Sequence, residues 1–171
     1  KRILTIQDVS CIGKCSLTVA LPIISAAGVE AVVLPTAVLS THTIFKNFTF
    51  RDLTNDIAPI AAHWKSENFG FDGIYTGYLG SFAQMDLIER LIDDFRTSDN
   101  FVFIDPVLGD AGKLYAGFDQ DFADRMALFC RKADVVAPNL TEAAAILRLP
   151  YEESPNEARV REILRRIVEL G

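Results

Sequence analysis

Polar side chains that could do chemistry stand directly after five short apolar runs of the chain. Together they could surround a phosphate, a metal ion and a hydroxylated substrate. In chain order they are Asp8 and Ser10; Thr36, His42 and Thr43; Gly77, Tyr78 and Ser81; Asp105 and Asp110; and Asn139, Thr141 and Glu142. Carboxylates do not bind phosphate directly but act on it through Mg²⁺ and ordered water, so this set suits phosphoryl transfer.

Several of these residues also have ordinary structural explanations. Asn139-x-x-Glu142 has the form of a helix-capping box. Asp105 stands before a proline and could simply end a strand, because a residue in that position avoids the helical region. The segment 77–81 fits a tight turn into a helix capped by its final serine, and His42 fits a packed loop residue. Considered one at a time, these residues leave both interpretations open.

Two familiar nucleotide-binding motifs are excluded. The segment 13–16, Gly-Lys-Cys-Ser, resembles the end of a Walker A loop. However, Asp8 occupies the position of the earlier glycine, and Cys15 replaces the required serine or threonine. No G-x-G-x-x-G pattern follows the first apolar run, which disfavours a dinucleotide-binding unit. A phosphate site in this chain must use another arrangement.

The elements that position these residues alternate between strands and helices. Strands are predicted at Ile3–Gln7, Ala31–Pro35, Gly73–Thr76, Phe101–Ile104 and Asp134–Ala137, and helices near 16–27, 53–67, 82–96, 119–131 and 141–148. Uninterrupted apolar runs are typical of strands covered on both faces, so the pattern predicts an α/β fold with a mainly parallel sheet. Ligands of such sheets bind beyond the carboxyl ends of the strands, where the polar residues stand.

Composition indicates a single domain, residues 1–171, with half of its residues hydrophobic. The net charge of −6, with no dense basic run, argues against nucleic acid or an anionic membrane as a partner. Cys11, Cys15 and Cys130 are odd in number, and with only His42 and His63 they match no common zinc spacing. We interpret them as reduced thiols of a cytoplasmic protein.

We expect no secretory signal at the N-terminus and no membrane span. The first apolar run is too short for a secretory signal. The apolar stretch 18–39 contains two prolines, a glycine and a glutamate, so a helix followed by a strand explains it better than a membrane span. Near the other end, Ser154 and Glu157 predict a capping box with Pro155 at the first helical position. Gly171 would stop that helix, and because another strand normally follows in such a fold, we expect the chain to be incomplete.

Four segments carry a family resemblance. The segments ILTIQDVSCIGKCSLTVALPIISAAGVEAVVLPTAVLSTHT, GIYTGYLGS, DPVLGDAGKLY and APNLTEA closely resemble the pyridoxal/pyridoxamine kinases of the ribokinase-like superfamily, and the match covers essentially the whole chain. The resemblance implies a three-layer ribokinase-like fold whose C-terminal part is missing here. It also implies transfer of the ATP γ-phosphoryl group to the 5′-hydroxyl of pyridoxal, pyridoxine or pyridoxamine. The implied cofactors are Mg²⁺ and often a monovalent cation such as K⁺. The implied assembly is a homodimer.

The resemblance also implies roles for individual residues. Those on the substrate side are Asp8, Ser10, His42, Thr43 and Tyr78. Asp8 departs from the family, in which this position contacts the pyridine ring and is frequently serine. Those on the nucleotide and phosphate side are Asp105, Asp110, Asn139 and Glu142, with Asp105 and Glu142 acting on the metal through water.

The family completes its site with a later glycine-rich turn ending in an aspartate, which accepts the hydroxyl proton. After Glu142 this chain has only Gly171 as a glycine, so we expect no catalytic base within it and little activity from the 171 residues alone. Two alternatives remain open from the sequence. One is a related hydroxymethylpyrimidine or sugar kinase, and the other is a non-catalytic fragment that binds a vitamer or dimerises.

Overall fold

A computed structural model describes all 171 residues, Lys1–Gly171. The strands are β1 (Arg2–Ser10), β2 (Glu30–Leu39), β3 (Phe50–Asp52), β4 (Gly73–Thr76), β5 (Phe101–Ile104), β6 (Gly109–Asp110), β7 (Lys113–Leu114) and β8 (Val135–Val136). The helices are α1 (Leu17–Ala26), α2 (Thr54–Ser66), α3 (Phe82–Phe95), α4 (Gln120–Cys130), α5 (Leu140–Ile146) and α6 (Glu157–Val168). Each predicted strand and helix is present, with small differences at its ends.

Six strands form one sheet in the order β3-β2-β1-β4-β5-β8. Every neighbouring pair is parallel except β2 and β3, in which Val38 pairs with Arg51 in antiparallel register. The predicted α/β fold with a mainly parallel sheet is therefore confirmed. The sequence did not predict β3 or the separate β6-β7 hairpin, because strands of two or three residues leave no apolar run to detect.

The main core lies between one face of the sheet and helices α2 to α6. Alternate residues of a strand point to opposite faces, and on β1 the side chains of Leu4 and Ile6 are the ones that enter this core. Both are fully buried. Each of the five helices contributes buried apolar side chains, such as Ile57, Ile88, Phe129, Ile146 and Ile167.

The other face is covered by α1, which packs on β1 and β2. Leu17 and Ala20 are the buried residues of this helix. Farther along the same face, Phe101 of β5 and Val135 of β8 remain 44% and 46% exposed. The layer of helices is thus complete on one face of the sheet and partial on the other.

Side-chain caps begin several helices. Ser81 caps α3 by accepting a hydrogen bond from the Gln84 amide at 3.2 Å, as the sequence predicted. The predicted start of α6 was wrong, because Asn156 and not Ser154 is its N-cap and accepts from the Arg159 amide at 2.9 Å. Asparagine caps as well as serine does, and here it lies nearer to the first apolar turn. None of the six helices combines the length and the apolar character that crossing a membrane requires.

Candidate active site

The predicted polar residues gather at the carboxyl edge of the sheet. β1, β4, β5 and β8 run parallel, so the residues at or just beyond their ends meet at the same edge. Asp8 lies near the end of β1, while Tyr78, Asp105 and Asn139 follow β4, β5 and β8. The strand topology thus brings these four together, and their binding roles stay predictions.

Asp8 is a buried carboxylate, only 7% exposed. Its Oδ1 accepts a hydrogen bond from the hydroxyl of Ser16, the residue that precedes α1. Ser16 has a φ of 46°, an uncommon backbone conformation for a residue other than glycine. The Asp8–Ser16 contact therefore ties the end of β1 to a strained turn at the start of α1.

His42 joins two loops of the edge. Its amide donates to the carbonyl of Ile12 at 2.8 Å, and its ring Nδ1 accepts from the Ile44 amide at 3.1 Å. These bonds favour the packed-loop interpretation of His42. Thr43 is exposed and its side chain forms no hydrogen bond within the protein, whereas Ser10 is buried at 2% exposure. Thr43 therefore makes no side-chain hydrogen bond to the other predicted residues.

Tyr78 is partly buried beside two carboxylates. Burial raises the pKa of its phenol, and the nearby charges of Asp8 and Asp52 raise that pKa further. Its ring stacks on Phe118 with 5.8 Å between the ring centroids, and Phe118 stacks on Phe122 at 4.0 Å. The aromatic stack positions Tyr78 at the substrate side of the predicted site.

Asp105 follows β5 and lines a cavity of about 400 Å³. Gln7, Ser16 and Tyr75 also line this cavity, which lies against α1. The Asp105 carboxylate accepts no hydrogen bond from the protein, and burial raises its pKa to about 6. The ionised carboxylate of Asp105 therefore has no hydrogen-bond partner within the protein. A ligand or a cation could supply that partner.

Asn139 and Glu142 form a complete capping box at the start of α5, so the capping interpretation is confirmed. Oε2 of Glu142 accepts from the Asn139 amide at 2.8 Å, and Oδ1 of Asn139 accepts from the Glu142 amide at 3.0 Å. The box also reaches outside the helix. Oε1 of Glu142 accepts from the Leu108 amide at 3.2 Å, and Nδ2 of Asn139 donates to the carbonyl of Gly109 at 2.9 Å.

Glu142 is also electrostatically unusual. Burial raises the pKa of its carboxyl to about 7, against the opposing effect of its backbone hydrogen bonds, and the Asp105 carboxylate raises it further. Its residual exposure is 3%. Glu142 thus combines a structural role with a pKa near neutrality.

The β6-β7 hairpin carries Asp110 on an exposed turn. Oδ1 of Asp110 accepts from the amide of Ala111 at 2.8 Å, and the Gly112 amide donates to the Thr141 hydroxyl at 2.9 Å. Gly112 has a φ of 77°, and a Cβ at this position would lie 2.7 Å from the Tyr151 ring, so only glycine fits. The start of α5 therefore fixes the conformation of this turn.

Asp105 and Glu142 fit an indirect metal site better than a direct one. No group of three histidine, cysteine, aspartate or glutamate side chains lies close enough to hold a metal ion. The two carboxylates repel each other, and burial raises the pKa of each. A cation beside them would offset both effects. Mg²⁺ usually keeps several water ligands and binds through one or two carboxylates, which matches this donor set.

Some residues at this edge were not predicted from the sequence. Gln7 alone had a detectable signal, because it is a polar residue in an otherwise apolar strand, and its buried Nε2 has no hydrogen-bond partner. Only the folding of the chain brings Ser16, Asp52 and Tyr75 to this edge of the sheet. Tyr115 also lies near these carboxylates. Burial raises the pKa of its phenol, and the charges of Asp110, Glu142 and Asp105 raise that pKa further.

The chain is similar in sequence and fold to known small-molecule kinases, although no family model matches it. A pyridoxal kinase of Arabidopsis thaliana is 35% identical over 89 residues, which are 50% of this chain and 28% of that protein. A solved structure from Bacteroides thetaiotaomicron, described as a phosphomethylpyrimidine kinase and crystallised with pyridoxal, is 44% identical with a TM-score of 0.96. The pyridoxal kinase of Lactobacillus plantarum is 36% identical with a TM-score of 0.89.

The two solved structures match the chain along essentially its full length, over 100% and 99% of its residues. The chain in turn spans 60% and 59% of their lengths. Fold and sequence identity agree, and the resemblance to the ribokinase-like pyridoxal kinases and phosphomethylpyrimidine kinases is therefore confirmed over the part of their length that the chain spans.

Proposed function

We propose that this protein transfers the γ-phosphoryl group of ATP to the 5′-hydroxyl of a B6 vitamer. The observation that carries the proposal is a pair of neighbouring carboxylates at the carboxyl edge of the sheet, the half-buried Asp105, which lines a cavity of about 400 Å³, and the buried Glu142. The relative that is 44% identical was crystallised with pyridoxal, which supports a vitamer as the acceptor.

Asp105 and Glu142 are the residues that would hold Mg²⁺, through water. When bound, the ion neutralises negative charge on the phosphate oxygens, which is the main requirement of phosphoryl transfer. Glu142 has a second task, because its hydrogen bond from Leu108 holds the loop after β5 in place. Asp110 and Asn139 complete the nucleotide side that we propose. K⁺ is a further proposed ion at this edge.

The substrate side is proposed to consist of Asp8, Ser10, His42, Thr43 and Tyr78. Tyr78, held by its stack on Phe118, offers an aromatic surface of the kind that packs against a pyridine ring. His42 and Thr43 lie on the loop after β2, and Thr43 is free to contact a ligand because its side chain has no partner in the protein. These residues would orient the acceptor hydroxyl toward the nucleotide.

We assign no catalytic base within residues 1–171. The acceptor hydroxyl must lose a proton as its oxygen bonds to phosphorus, and we propose that an aspartate on a glycine-rich turn outside these residues accepts it. A homodimer and a cytoplasmic location are also part of the proposal.

A second candidate function is phosphorylation of a hydroxymethylpyrimidine. The specific observation in its favour is the description of the Bacteroides thetaiotaomicron relative as a phosphomethylpyrimidine kinase. Both acceptors are hydroxymethylated aromatic nitrogen heterocycles, so the same edge of the sheet could accommodate either. A sugar kinase has less support, because a stacked tyrosine suits an aromatic acceptor.

The test is a comparison of acceptors with the protein expressed together with any coding sequence that follows Gly171. Pyridoxal, pyridoxine, pyridoxamine, hydroxymethylpyrimidine and ribose would each be incubated with ATP and Mg²⁺, and phosphorylated products separated by chromatography. We expect the 5′-phosphate of at least one vitamer as the main product. Preferential phosphorylation of the pyrimidine would favour the second candidate, and binding of a vitamer without turnover would favour a non-catalytic role.

A further inference from the structure

Asp8 is a buried carboxylate with a free oxygen. The residue is 7% exposed, and its Oδ1 is occupied by the hydroxyl of Ser16. Oδ2 accepts no hydrogen bond. It is nevertheless not one of the fully buried polar atoms that lack a partner. Oδ2 therefore keeps some exposure at the edge of the sheet, where a ligand atom could reach it.

No basic side chain neutralises this carboxylate. The ion pairs of the structure include neither Asp8 nor Asp52, and Asp52 is engaged instead by the amide of Thr54 at 2.8 Å and by Gln84. Both carboxylates nevertheless lie close enough to Tyr78 to act on its phenol. A buried charge is costly unless it is paired, so this part of the sheet edge favours a ligand that brings positive charge.

We infer that Asp8 makes this protein selective for acceptors that carry a cationic nitrogen, which Oδ2 of Asp8 would bind. The inference rests on the proposed function and specifies its substrate class. Among the B6 vitamers, pyridoxamine carries an aminomethyl cation at neutral pH, whereas pyridoxine carries a hydroxymethyl group at the same position. A protonated ring nitrogen, which all vitamers can provide, is the other source of the same chemistry.

The experiment measures binding of pyridoxamine and pyridoxine by calorimetry at pH 7, in wild-type protein and in Asp8→Asn. Asparagine keeps the size of the side chain and removes its charge. A hydrogen bond to a charged group is worth enough to change affinity by about tenfold or more. We expect wild-type protein to prefer pyridoxamine by at least about tenfold, and Asp8→Asn to bring the two affinities together.

Two controls separate charge recognition from folding and from net charge. Glu67→Gln removes one negative charge from an exposed residue without hydrogen-bonded partners to its side chain, and it should leave the ratio of affinities unchanged. Asp8→Ser removes the same charge with a shorter side chain and should behave like Asp8→Asn. Thermal unfolding of each variant identifies any loss of folded protein before its affinities are compared.

A third ligand distinguishes the two sources of the cation. It is a pyridoxine analogue in which the ring nitrogen is replaced by CH. If Asp8→Asn weakens pyridoxine but not this analogue, Asp8 binds the ring nitrogen, and the inference stands with that source. If Asp8→Asn alters none of these affinities, or if wild-type protein binds all three ligands equally, the inference is overturned while the proposed function survives. Failure of the wild-type protein to bind any vitamer would overturn both.

Discussion

The carboxylate of Glu142 accepts a hydrogen bond from the backbone amide of Leu108, at 3.2 Å and across 34 residues of chain. Its other oxygen accepts the amide of Asn139 at 2.8 Å. Both oxygens are therefore used by the protein itself, one for the helix cap and one for the loop after β5.

Glu142→Gln should destabilise the protein, although glutamine normally serves well in a capping box. Glutamine has one carbonyl oxygen, so its NH₂ group would face one of the two backbone N–H donors. Leaving a buried donor unsatisfied costs about 1–3 kcal/mol. Denaturant unfolding at about pH 5 would measure this cost, because the folded-state pKa of about 7 leaves the buried carboxyl largely protonated there and glutamine relieves little ionisation penalty. Glu157→Gln, a change of the same chemistry at an exposed helix start, is the matched control and should cost far less. Equal stability of the two variants would mean that the Leu108 bond contributes nothing.

Asp105→Asn should impair turnover without destabilising the fold. The folded-state pKa of Asp105, about 6, lies above its ordinary value of 3.8 because of burial. The contribution of protonated Asp105 to the free energy of unfolding is thus fully present below its ordinary pKa of 3.8. It is lost as the pH rises through the folded-state pKa of about 6. At pH 8 the charged, partly buried carboxylate of Asp105 destabilises the folded state, and asparagine removes that cost. The free energy of unfolding should therefore be unchanged or slightly larger. Turnover in the active protein should fall on the order of 10²-fold, as for loss of a group that stabilises transition-state charge. Unchanged turnover over a magnesium titration would exclude Asp105 from the phosphate side.

Asp134 should contribute stability that is lost in acid. Its Oδ2 accepts the Val102 amide at 2.7 Å and its Oδ1 accepts from Arg96 at 2.6 Å. The backbone hydrogen bond, assisted by Arg96, lowers the pKa of this carboxyl below its ordinary value. The contribution is therefore fully present above the ordinary pKa of 3.8 and disappears as the pH falls through the lowered one.

Unfolding midpoints of wild-type protein and Asp134→Asn, measured from pH 7 to pH 2, test this expectation. The variant should be less stable at pH 7 by about 1 kcal/mol, a small value because the side chain is 39% exposed. The difference should shrink toward pH 2. A difference that stays constant over this range would contradict the assignment.

Cys130 should resist thiol reagents in the folded protein while Cys11 reacts. Cys130 is 4% exposed, and burial raises the pKa of its thiol to about 12, with a further contribution from the Glu142 carboxylate. Since the thiolate is the reactive form, Cys130 should be inert at pH 8. Cys11 is exposed. Maleimide labelling followed by peptide mass spectrometry would measure both, with labelling in guanidinium as the control for complete reaction. Labelling of folded Cys130 at the rate of Cys11 would contradict the packing of α4.

Residues 1–171 alone should give negligible phosphorylation of pyridoxal, even if they fold and bind a vitamer weakly. General acid-base assistance is typically worth about 10²–10⁴-fold, and an oxyanion-type donor about 10²–10³-fold. We expect both to come from outside these residues. Product chromatography would compare the 171 residues with a protein extended by its native coding sequence. Robust turnover by the 171 residues would show that they contain their own base.

Local sequence patterns were sufficient to predict five of the six strands of the main sheet and the helices that pack on it. Gly73–Thr76 and Phe101–Ile104 are uninterrupted apolar runs, and both form strands with the predicted bounds. The capping box of Asn139 and Glu142 was equally predictable from the sequence, because its two residues lie three positions apart. In these cases the interactions that select the structure are between neighbours in the chain, so the residue pattern contains the information.

The tertiary structure alone decided which distant residues meet. The strand order places Asp8 and Tyr78 at one edge, brings Asp105 close to Glu142, and joins Glu142 to Leu108. It also leaves the side chain of Thr43 exposed. Burial and charge at a residue depend on every element packed around it, and these neighbours are separated by tens of residues in the chain. The raised pKa values and the unpartnered oxygen of Asp8 therefore arise from the packing of the whole sheet edge, which no local pattern of residue types encodes.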